Sequence, residues 1–146
     1  MDFTLRPATA ADREWLWQTK TRCLRRYVEQ TWGVWDEASQ RARFDDMFDV
    51  SEIQVIVLAG GDAGFIAARH APDEIRLFHI MIAAEFQNQG LGTAVLRELL
   101  AVAQVRGVPV RLQVLRVNPA RRLYDRLGFA VIEETPTHNR MLWRPV

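Results

Sequence analysis

The stretch that decides the fold is Gln87-Asn88-Gln89-Gly90-Leu91-Gly92. An apolar, strand-like run from Ile75 to Ala83 precedes it, and the residues after it have the apolar spacing of a helix that we expect to end near Arg106. Glycine lets the backbone approach a ligand closely, and the first amides of a helix lack intrahelical partners. The sequence therefore predicts a glycine loop that joins a strand to a helix and binds an anionic group such as a phosphate.

The spacing within this loop excludes two common kinds of phosphate site. A dinucleotide-binding fingerprint requires a third glycine where Val95 stands, and a P-loop requires a Gly-Lys-Ser/Thr ending that this chain lacks. What remains is a Gln-x-x-Gly-x-Gly pattern. This pattern needs support from elsewhere in the chain before it indicates a function.

That support comes from a second motif, Asn118-Pro119-Ala120-Arg121-Arg122-Leu123-Tyr124-Asp125-Arg126-Leu127-Gly128-Phe129. Its asparagine, alanine, tyrosine and Gly-Phe pair follow a strand-like segment, as the glycine loop does. In this order the two motifs resemble those of the GNAT superfamily of acetyl-CoA-dependent N-acetyltransferases. The resemblance covers essentially the whole chain, because the order of the predicted elements also matches.

The element order β, α, α, β, β, β, α, β, α, β, β implies an α/β (α+β) fold. We expect one domain, residues 1–146, with a mixed, mostly antiparallel central sheet of about seven strands and helices on both faces. The resemblance implies that the fourth and fifth strands splay apart. The first helix, capped by Thr9 and Asp12, is expected to end near Val28, and a second is expected to run from an Asp36 cap to about Phe48.

The resemblance also assigns the donor site. Acetyl-CoA is the implied co-substrate, and its pyrophosphate is expected at Gln87, Asn88, Gln89, Gly90, Leu91, Gly92 and Thr93. Unpaired backbone groups of Ile80, Met81 and Ile82 are expected to bind the pantetheine arm, and Asn118 to hydrogen-bond it. No metal is implied, and the three histidines have no metal-ligand spacing.

Two groups are implied in the chemistry itself, a direct attack of the amine on the thioester in a ternary complex. The Ile82 amide is expected to donate to the thioester carbonyl oxygen, and Tyr124 to protonate the coenzyme A thiolate as general acid. A core aromatic is the alternative interpretation of Tyr124. Cys23 is expected to be a small core residue, so the sequence does not support an acetyl-cysteine route.

The general base is where the chain departs from the family pattern. Some members carry a Glu or His on the strand before the loop, on the face shared with Ile80 and Ile82, where strict alternation here places Phe78 and Arg76. His79 falls on the opposite face unless a bulge changes the register. A water-mediated base, or an acid from Glu29 to Glu37, is favoured instead.

The segment from Tyr27 to Glu37 is the predicted acceptor region. Glu29, Trp32, Trp35 and Asp36 are the candidate substrate-binding residues, and they favour a primary amine that is cationic or stacks on aromatic rings, free or on a peptide. Each has a structural alternative: the acids as a solvated helix end and a cap, the tryptophans as core residues.

Composition sets the remaining expectations. A formal net charge of +1 argues against nucleic acid as a partner, and no apolar run is long enough to span a membrane. A single cysteine favours a reducing, cytoplasmic location, and a homodimer is possible. Two rival functions stay open: an acyl-CoA-sensing module without turnover, and a toxin-like acetyltransferase of aminoacyl-tRNA.

Overall fold

The computed structural model describes residues 1–146 and contains seven strands and four α-helices. The strands are β1 (Phe3–Pro7), β2 (Ile53–Leu58), β3 (Gly61–His70), β4 (Ile75–Ile82), β5 (Val110–Leu115), β6 (Ala130–Glu134) and β7 (His138–Trp143). The helices are α1 (Arg13–Trp32), α2 (Glu37–Met47), α3 (Leu91–Arg106) and α4 (Arg121–Arg126), with short 3₁₀ turns at Ala10–Asp12, Val50–Glu52 and Ala84–Phe86.

All seven strands form one sheet in the order β1-β2-β3-β4-β5-β7-β6. Neighbouring strands are antiparallel except β4 and β5, which run parallel and pair only at Ile75 with Val110 and at Arg76 with Arg111. Beyond these two pairs the strands diverge and leave a gap on the β5 side of β4. The predicted mixed sheet with splayed fourth and fifth strands is confirmed.

An apolar layer covers each face of the sheet. One layer is built by α3 with α4 and the alternate β5 residues Val110, Leu112 and Val114. The other is built by α1 and α2, whose Leu16, Trp17 and Phe44 pack on Val55, Phe65 and Met81. Because strand side chains alternate between faces, each central strand contributes to both layers. The predicted placement of helices on both faces is confirmed.

Helix α1 is one turn longer than the sequence predicted, ending at Trp32 rather than near Val28. Gly33 terminates it with a left-handed φ of 83°, and its amide donates to the Glu29 carbonyl at 2.7 Å. Every residue before Gly33 tolerates helical geometry, so the helix continues to the first glycine. Glu29 and Trp32 therefore lie on a helix, and only a short connection from Gly33 to Asp36 remains.

A β-bulge in β4 changes the predicted faces of this strand. The pairing with β3 shifts between Ala67, opposite His79, and Ala68, opposite Leu77, so Phe78 is the extra residue. Leu77 lies in the α3 layer, as Ile80 and Ile82 do, while Phe78 packs with the α1 layer. The prediction that Phe78 shares a face with Ile80 was wrong, because it assumed strict alternation.

Gly64 allows β3 to lie close to the end of β4. It pairs with Ile82, and a Cβ atom at this position would lie 2.2 Å from the Met81 carbonyl oxygen. A contact that short is impossible between real atoms, so any side chain here would push the two strands apart. The glycine thus fixes where Ile82 sits at the open edge of β4.

A charged cluster ties β1 to the start of α1. Two nitrogens of the Arg6 guanidinium donate to the Asp12 carboxylate at 2.9 Å each, and one also reaches Asp62 at 3.1 Å. The Thr9 amide donates to the same Asp12 carboxylate at 2.8 Å, completing the predicted capping box. The hydrogen bonds from Arg6 lower the pKa of Asp12 to about 2.

The Asp12 cluster predicts an acid-dependent loss of stability. The folded-state pKa lies below the unfolded value, so its stabilisation is complete above about pH 4 and is lost as the pH falls towards 2. We expect Asp12→Asn to lower the free energy of unfolding by about 2 kcal/mol at neutral pH. Denaturant unfolding between pH 2 and pH 7 measures this, and the deficit relative to wild type should shrink with acidity.

The matched control is Asp62→Asn, which removes the other, more exposed carboxylate from the same arginine. Because exposed ion pairs contribute little, we expect a cost below about 1 kcal/mol. A deficit for Asp12→Asn that stays constant from pH 7 to pH 2 would contradict the role given to the Asp12 carboxylate.

Candidate functional site

The gap beside β4 exposes the backbone of Ile82. The Ala83 amide donates to the Ala63 carbonyl at 2.8 Å, towards β3, so the Ile82 carbonyl of the same peptide unit points the opposite way, into the gap. By the same alternation the amides of Ile80 and Ile82 face the gap. The sequence prediction named these two residues. The bulge at Phe78 lies earlier in the strand, so it does not change the alternation of Ile80 and Ile82.

Met81 differs from its two neighbours. Its backbone groups face Phe65 on β3, and its side chain is buried in the α1 layer. The expectation that Met81 offers unpaired backbone groups to a ligand is therefore corrected, because alternation along a strand leaves only every second residue open.

Two donors hold the Ile82 carbonyl in place. The Gln87 side-chain amide donates to it at 2.9 Å, and the Cys23 thiol donates to it at 3.5 Å. Gln87 thus orients the end of β4 with its side chain. Cys23 lies beside the candidate reaction centre, a proximity that its distance in sequence from both motifs concealed.

The glycine loop presents free amides to the same gap. Asn88 and Gly90 take left-handed φ values of 63° and 80°, and no side chain caps the helix that follows. The Ala94 amide is the first to bond within α3, donating to the Gly90 carbonyl at 3.0 Å. The amides of Leu91, Gly92 and Thr93 have no partner within the helix, an arrangement that suits an anion.

One cavity of about 930 Å³ joins these features. Its walls come from α1 between Thr21 and Glu29, the end of β4, the glycine loop, and the segment from Asn118 to Arg126. Most of the predicted donor-site residues line it, namely Ile80, Met81, Ile82, Gln87, Asn88, Gly90, Leu91, Gly92, Thr93 and Asn118. Gln89 does not line it, because its side chain turns back to the Glu85 carbonyl at 3.3 Å.

Asn118 and Tyr124 occupy different environments. The Asn118 side-chain oxygen accepts from the Ala120 amide at 2.9 Å, which starts the turn into α4, and Asn118 lines the cavity. Tyr124 is buried in the α3 layer, with its ring edge-on to Phe129 at 5.7 Å. Leu123 and Arg126 line the cavity in place of Tyr124. Burial raises the pKa of Tyr124 to about 12.

Of the four predicted acceptor residues, only Glu29 lines this cavity, and it is ion-paired with Arg25 at 3.0 Å. Trp32 is 52% exposed and lies against His138, with ring centroids 6.2 Å apart. Trp35 is buried against Trp17, and Asp36 caps α2 by accepting from the Ser39 amide at 3.1 Å. Glu29 and Trp32 are therefore about one turn apart on α1, whereas Trp35 serves the core and Asp36 the start of α2.

The sequence reasoning missed the arginines of the cavity. Arg22, Arg25 and Arg26 come from α1, and Arg126 comes from α4. Arg22, Arg26 and Glu29 have helical i, i+4, i+7 spacing, which places them on one face. That spacing was visible in the sequence, but nothing there indicated that this face of α1 borders the glycine loop.

His79 does not line the cavity and is a poor base. Burial, with a smaller contribution from the Lys20 ammonium, lowers the pKa of His79 to about 3. The imidazole is therefore neutral at physiological pH and holds a proton only in strong acid. The bulge that reassigns Phe78 leaves His79 on the α1 side of the sheet, so the prediction that it falls on the face opposite Ile80 agrees with the structure.

Comparison with known proteins identifies the family. The sequence profile described as "Acetyltransferase (GNAT) domain" matches residues 50–131. Because the match covers more than half of the 146 residues, the chain belongs to the GNAT acetyltransferase family. This family assignment confirms the resemblance carried by the two motifs.

Particular relatives are more distant. The ribosomal protein bS18-alanine N-acetyltransferase of Escherichia coli K12 is 36% identical over 72 residues, which are 48% of this chain and 49% of that enzyme. The chain thus matches about half the length of these relatives. The crystal structure of the E. coli enzyme superposes with a TM-score of 0.66 at 23% identity, covering 98% of this chain and 94% of that one.

A second solved structure, PaiA N-acetyltransferase from Thermoplasma acidophilum in complex with coenzyme A, superposes with a TM-score of 0.72 at 17% identity and covers 99% of both chains. At these identities the superpositions establish the fold alone. In this chain no helix combines the length and apolar character needed to cross a membrane.

The glycine loop generates a prediction with an internal control. Gly90 and Gly107 flank α3, both have left-handed φ values, and neither would meet a neighbour if it carried a Cβ. We expect Gly90→Ala and Gly107→Ala each to cost about 1 kcal/mol of stability. Only Gly90→Ala should weaken coenzyme A binding, by about tenfold, because it strains the loop that orients the free amides.

Calorimetric titration with coenzyme A and thermal unfolding measure the two effects separately. Equal coenzyme A affinities in the two variants, at equal loss of stability, would show that the loop is not the phosphate site.

Proposed function

We propose that this protein is an acetyl-CoA-dependent N-acetyltransferase that transfers the acetyl group to a primary amine by direct attack in a ternary complex. The observation that carries the proposal is the junction, in one cavity, of the open edge of β4 at Ile82 with the free amides at the start of α3. The first suits an extended amide chain and the second suits a phosphate. Coenzyme A contains both.

The residues present fit such a donor. The amides of Leu91, Gly92 and Thr93 would hold its pyrophosphate, and a Cβ at Gly92 would lie within 4 Å of Leu123 and Ile82, so the loop packs near both side chains. The gap-facing groups of Ile80 would pair with the pantetheine arm, and the side-chain nitrogen of Asn118 would donate to it. The thioester supplies an acyl group already activated for attack by an amine.

Ile82 would act at the thioester carbonyl. Its amide faces the gap, and Gln87 and Cys23 hold the adjacent carbonyl, so the donor is oriented before the substrates bind. A preoriented donor stabilises the charge that develops on the carbonyl oxygen without reorganising during the reaction. Gln87 is thus a positioning residue in this proposal.

The proton of the acceptor amine would leave through water. Glu29 is paired with Arg25, and the pKa of His79, about 3, makes it too weak a base at neutral pH. Positive charges around the cavity lower the pKa of a bound ammonium group, so a larger fraction of the acceptor is neutral. That effect reduces the need for a strong protein base.

Tyr124 is the proposed general acid for the departing thiolate. Its pKa of about 12 keeps the phenol protonated at neutral pH, which the role requires. Its burial favours a purely structural role instead, so substitution decides between the two.

If Tyr124 is the acid, Tyr124→Phe should lower kcat by about 100-fold with little change in KM for acetyl-CoA. Thiol release measured at saturating acetyl-CoA tests this, and Phe129→Leu serves as a control for packing, since it alters the same ring pair without removing a hydroxyl. Unchanged kcat in Tyr124→Phe, with melting behaviour like wild type, would leave Tyr124 as a core residue only.

Direct transfer predicts that Cys23 is dispensable as a nucleophile. Burial raises the pKa of its thiol, so it stays protonated and donates to the Ile82 carbonyl. We expect Cys23→Ala to lower kcat by no more than about threefold, the loss of one weak hydrogen bond. Cys23→Ser, which retains a donor, should stay closer to wild type.

Mass spectrometry of the protein after incubation with acetyl-CoA alone provides the decisive readout. The acetyl-cysteine route would replace direct transfer if the wild-type protein carries a covalent acetyl group that Cys23→Ala lacks, and if turnover is abolished in that variant.

The burial of Tyr124 favours one second candidate, a GNAT module that binds acyl-CoA without turnover. It shares the donor site but needs no acid at the thiol. Coenzyme A binding without thiol release across a panel of primary amines would favour this module over the enzyme.

A further inference from the structure

We infer that the acceptor amine also carries a carboxylate, and that Arg22 and Arg26 form the subsite that binds it. The inference rests on the proposed function, because it concerns the second substrate of the same cavity.

The charge of the cavity wall is the first observation. Four arginines line the cavity against one glutamate, although the whole chain has a net charge of only +1. Glu29 is paired with Arg25, while Arg22, Arg26 and Arg126 form no ion pair. Arg26 instead contacts the neutral Tyr27, donating to its hydroxyl at 2.8 Å. Three guanidinium charges therefore face the cavity without an anionic partner.

The position of these charges is the second observation. The Cys23 thiol contacts the Ile82 carbonyl, so this part of α1 lies beside the open edge of β4. Arg22 is adjacent to Cys23, and Arg26 follows about one turn later. The free loop amides belong to α3, which packs on the other face of the sheet. The α1 arginines thus flank the proposed thioester position from the side opposite the helix that is proposed to hold the pyrophosphate.

These observations reverse the charge expected of the acceptor. The sequence favoured a cationic amine because of Glu29 and Asp36, but Glu29 is neutralised by Arg25 and Asp36 caps α2. Guanidinium groups bind carboxylates through paired, charge-assisted hydrogen bonds. The same groups repel a second ammonium group, so the subsite also rejects cationic amines.

Matched acceptors test the inference directly. Glycine and glycinamide differ in one carboxylate, as do the amidated peptides Glu-Ala-Ala and Gln-Ala-Ala, while amidated Lys-Ala-Ala supplies a cationic competitor. In the pair that the enzyme accepts, we expect kcat/KM to be at least about tenfold higher for the acidic member than for its neutral analogue. We expect the lysine peptide to have the lowest kcat/KM. A preference for the acid within the glycine pair would indicate a free amino acid as acceptor. A preference within the peptide pair would indicate a peptide terminus.

Substitution of the arginines supplies the second arm. In Arg22→Ala/Arg26→Ala we expect KM for the acidic acceptor to rise about tenfold or more, with KM for the amide analogue and for acetyl-CoA unchanged. Both positions are exposed on a helix, so alanine should preserve folding. Arg144→Ala, an exposed arginine outside the cavity, is the matched control.

Three results would overturn the inference. A rise in KM for acetyl-CoA in the double variant would assign the arginines to coenzyme phosphates. Equal use of acidic, neutral and cationic amines would remove the subsite. Salt-sensitive retention of tRNA that is lost in the double variant would assign the arginines to a polynucleotide.

Failure of the proposed function gives a different result. If no amine is acetylated, calorimetric titration of the same acceptors into the coenzyme A complex still tests whether the arginine subsite binds a carboxylate. Preferential binding of the acidic member, weakened in the double variant, supports the subsite without catalysis, and equal binding of all members overturns it.

Discussion

The structure depends on how little of β4 pairs with β5. Only two residue pairs join these parallel strands, and past Arg76 the edge of β4 is open towards the cavity. An open strand edge inside a protein leaves backbone donors and acceptors that need a partner. Here Gln87 and Cys23 satisfy the Ile82 carbonyl, and the gap-facing amides are the ones assigned above to the proposed donor.

Several local features maintain that open edge. Gly64 holds β3 against β4 where a side chain would separate them, and the bulge at Phe78 sets which residues face which layer beyond it. The loop after β4 then turns through left-handed residues so that α3 begins with free amides beside the same gap. The strand edge and the helix terminus thus form one continuous site, because a single short loop connects them.

The two faces of the sheet divide the proposed work. Helix α3 and the loop supply backbone donors for phosphate, while α1 supplies side-chain charge near Ile82. If the arginine subsite is correct, the charge that binds the acceptor also lowers the pKa of its ammonium group. Binding and activation of the nucleophile would then share one cause, consistent with a cavity whose one carboxylate is already paired with Arg25.

The sequence by itself determined the fold and the donor-site motifs, because glycine spacing, strand alternation and helix caps are local properties of the chain. The loop amides and the Asp36 cap were predicted from such patterns, and the splayed strands from the resemblance to the GNAT superfamily. Strict alternation failed at Phe78, where a bulge depends on the neighbouring strand. The burial of Tyr124, the contact of Cys23 with Ile82 and the arginine wall were decided only by tertiary packing, since each joins residues from separate elements. Spacing along a helix gives its faces, but only the folded chain shows which face borders the cavity.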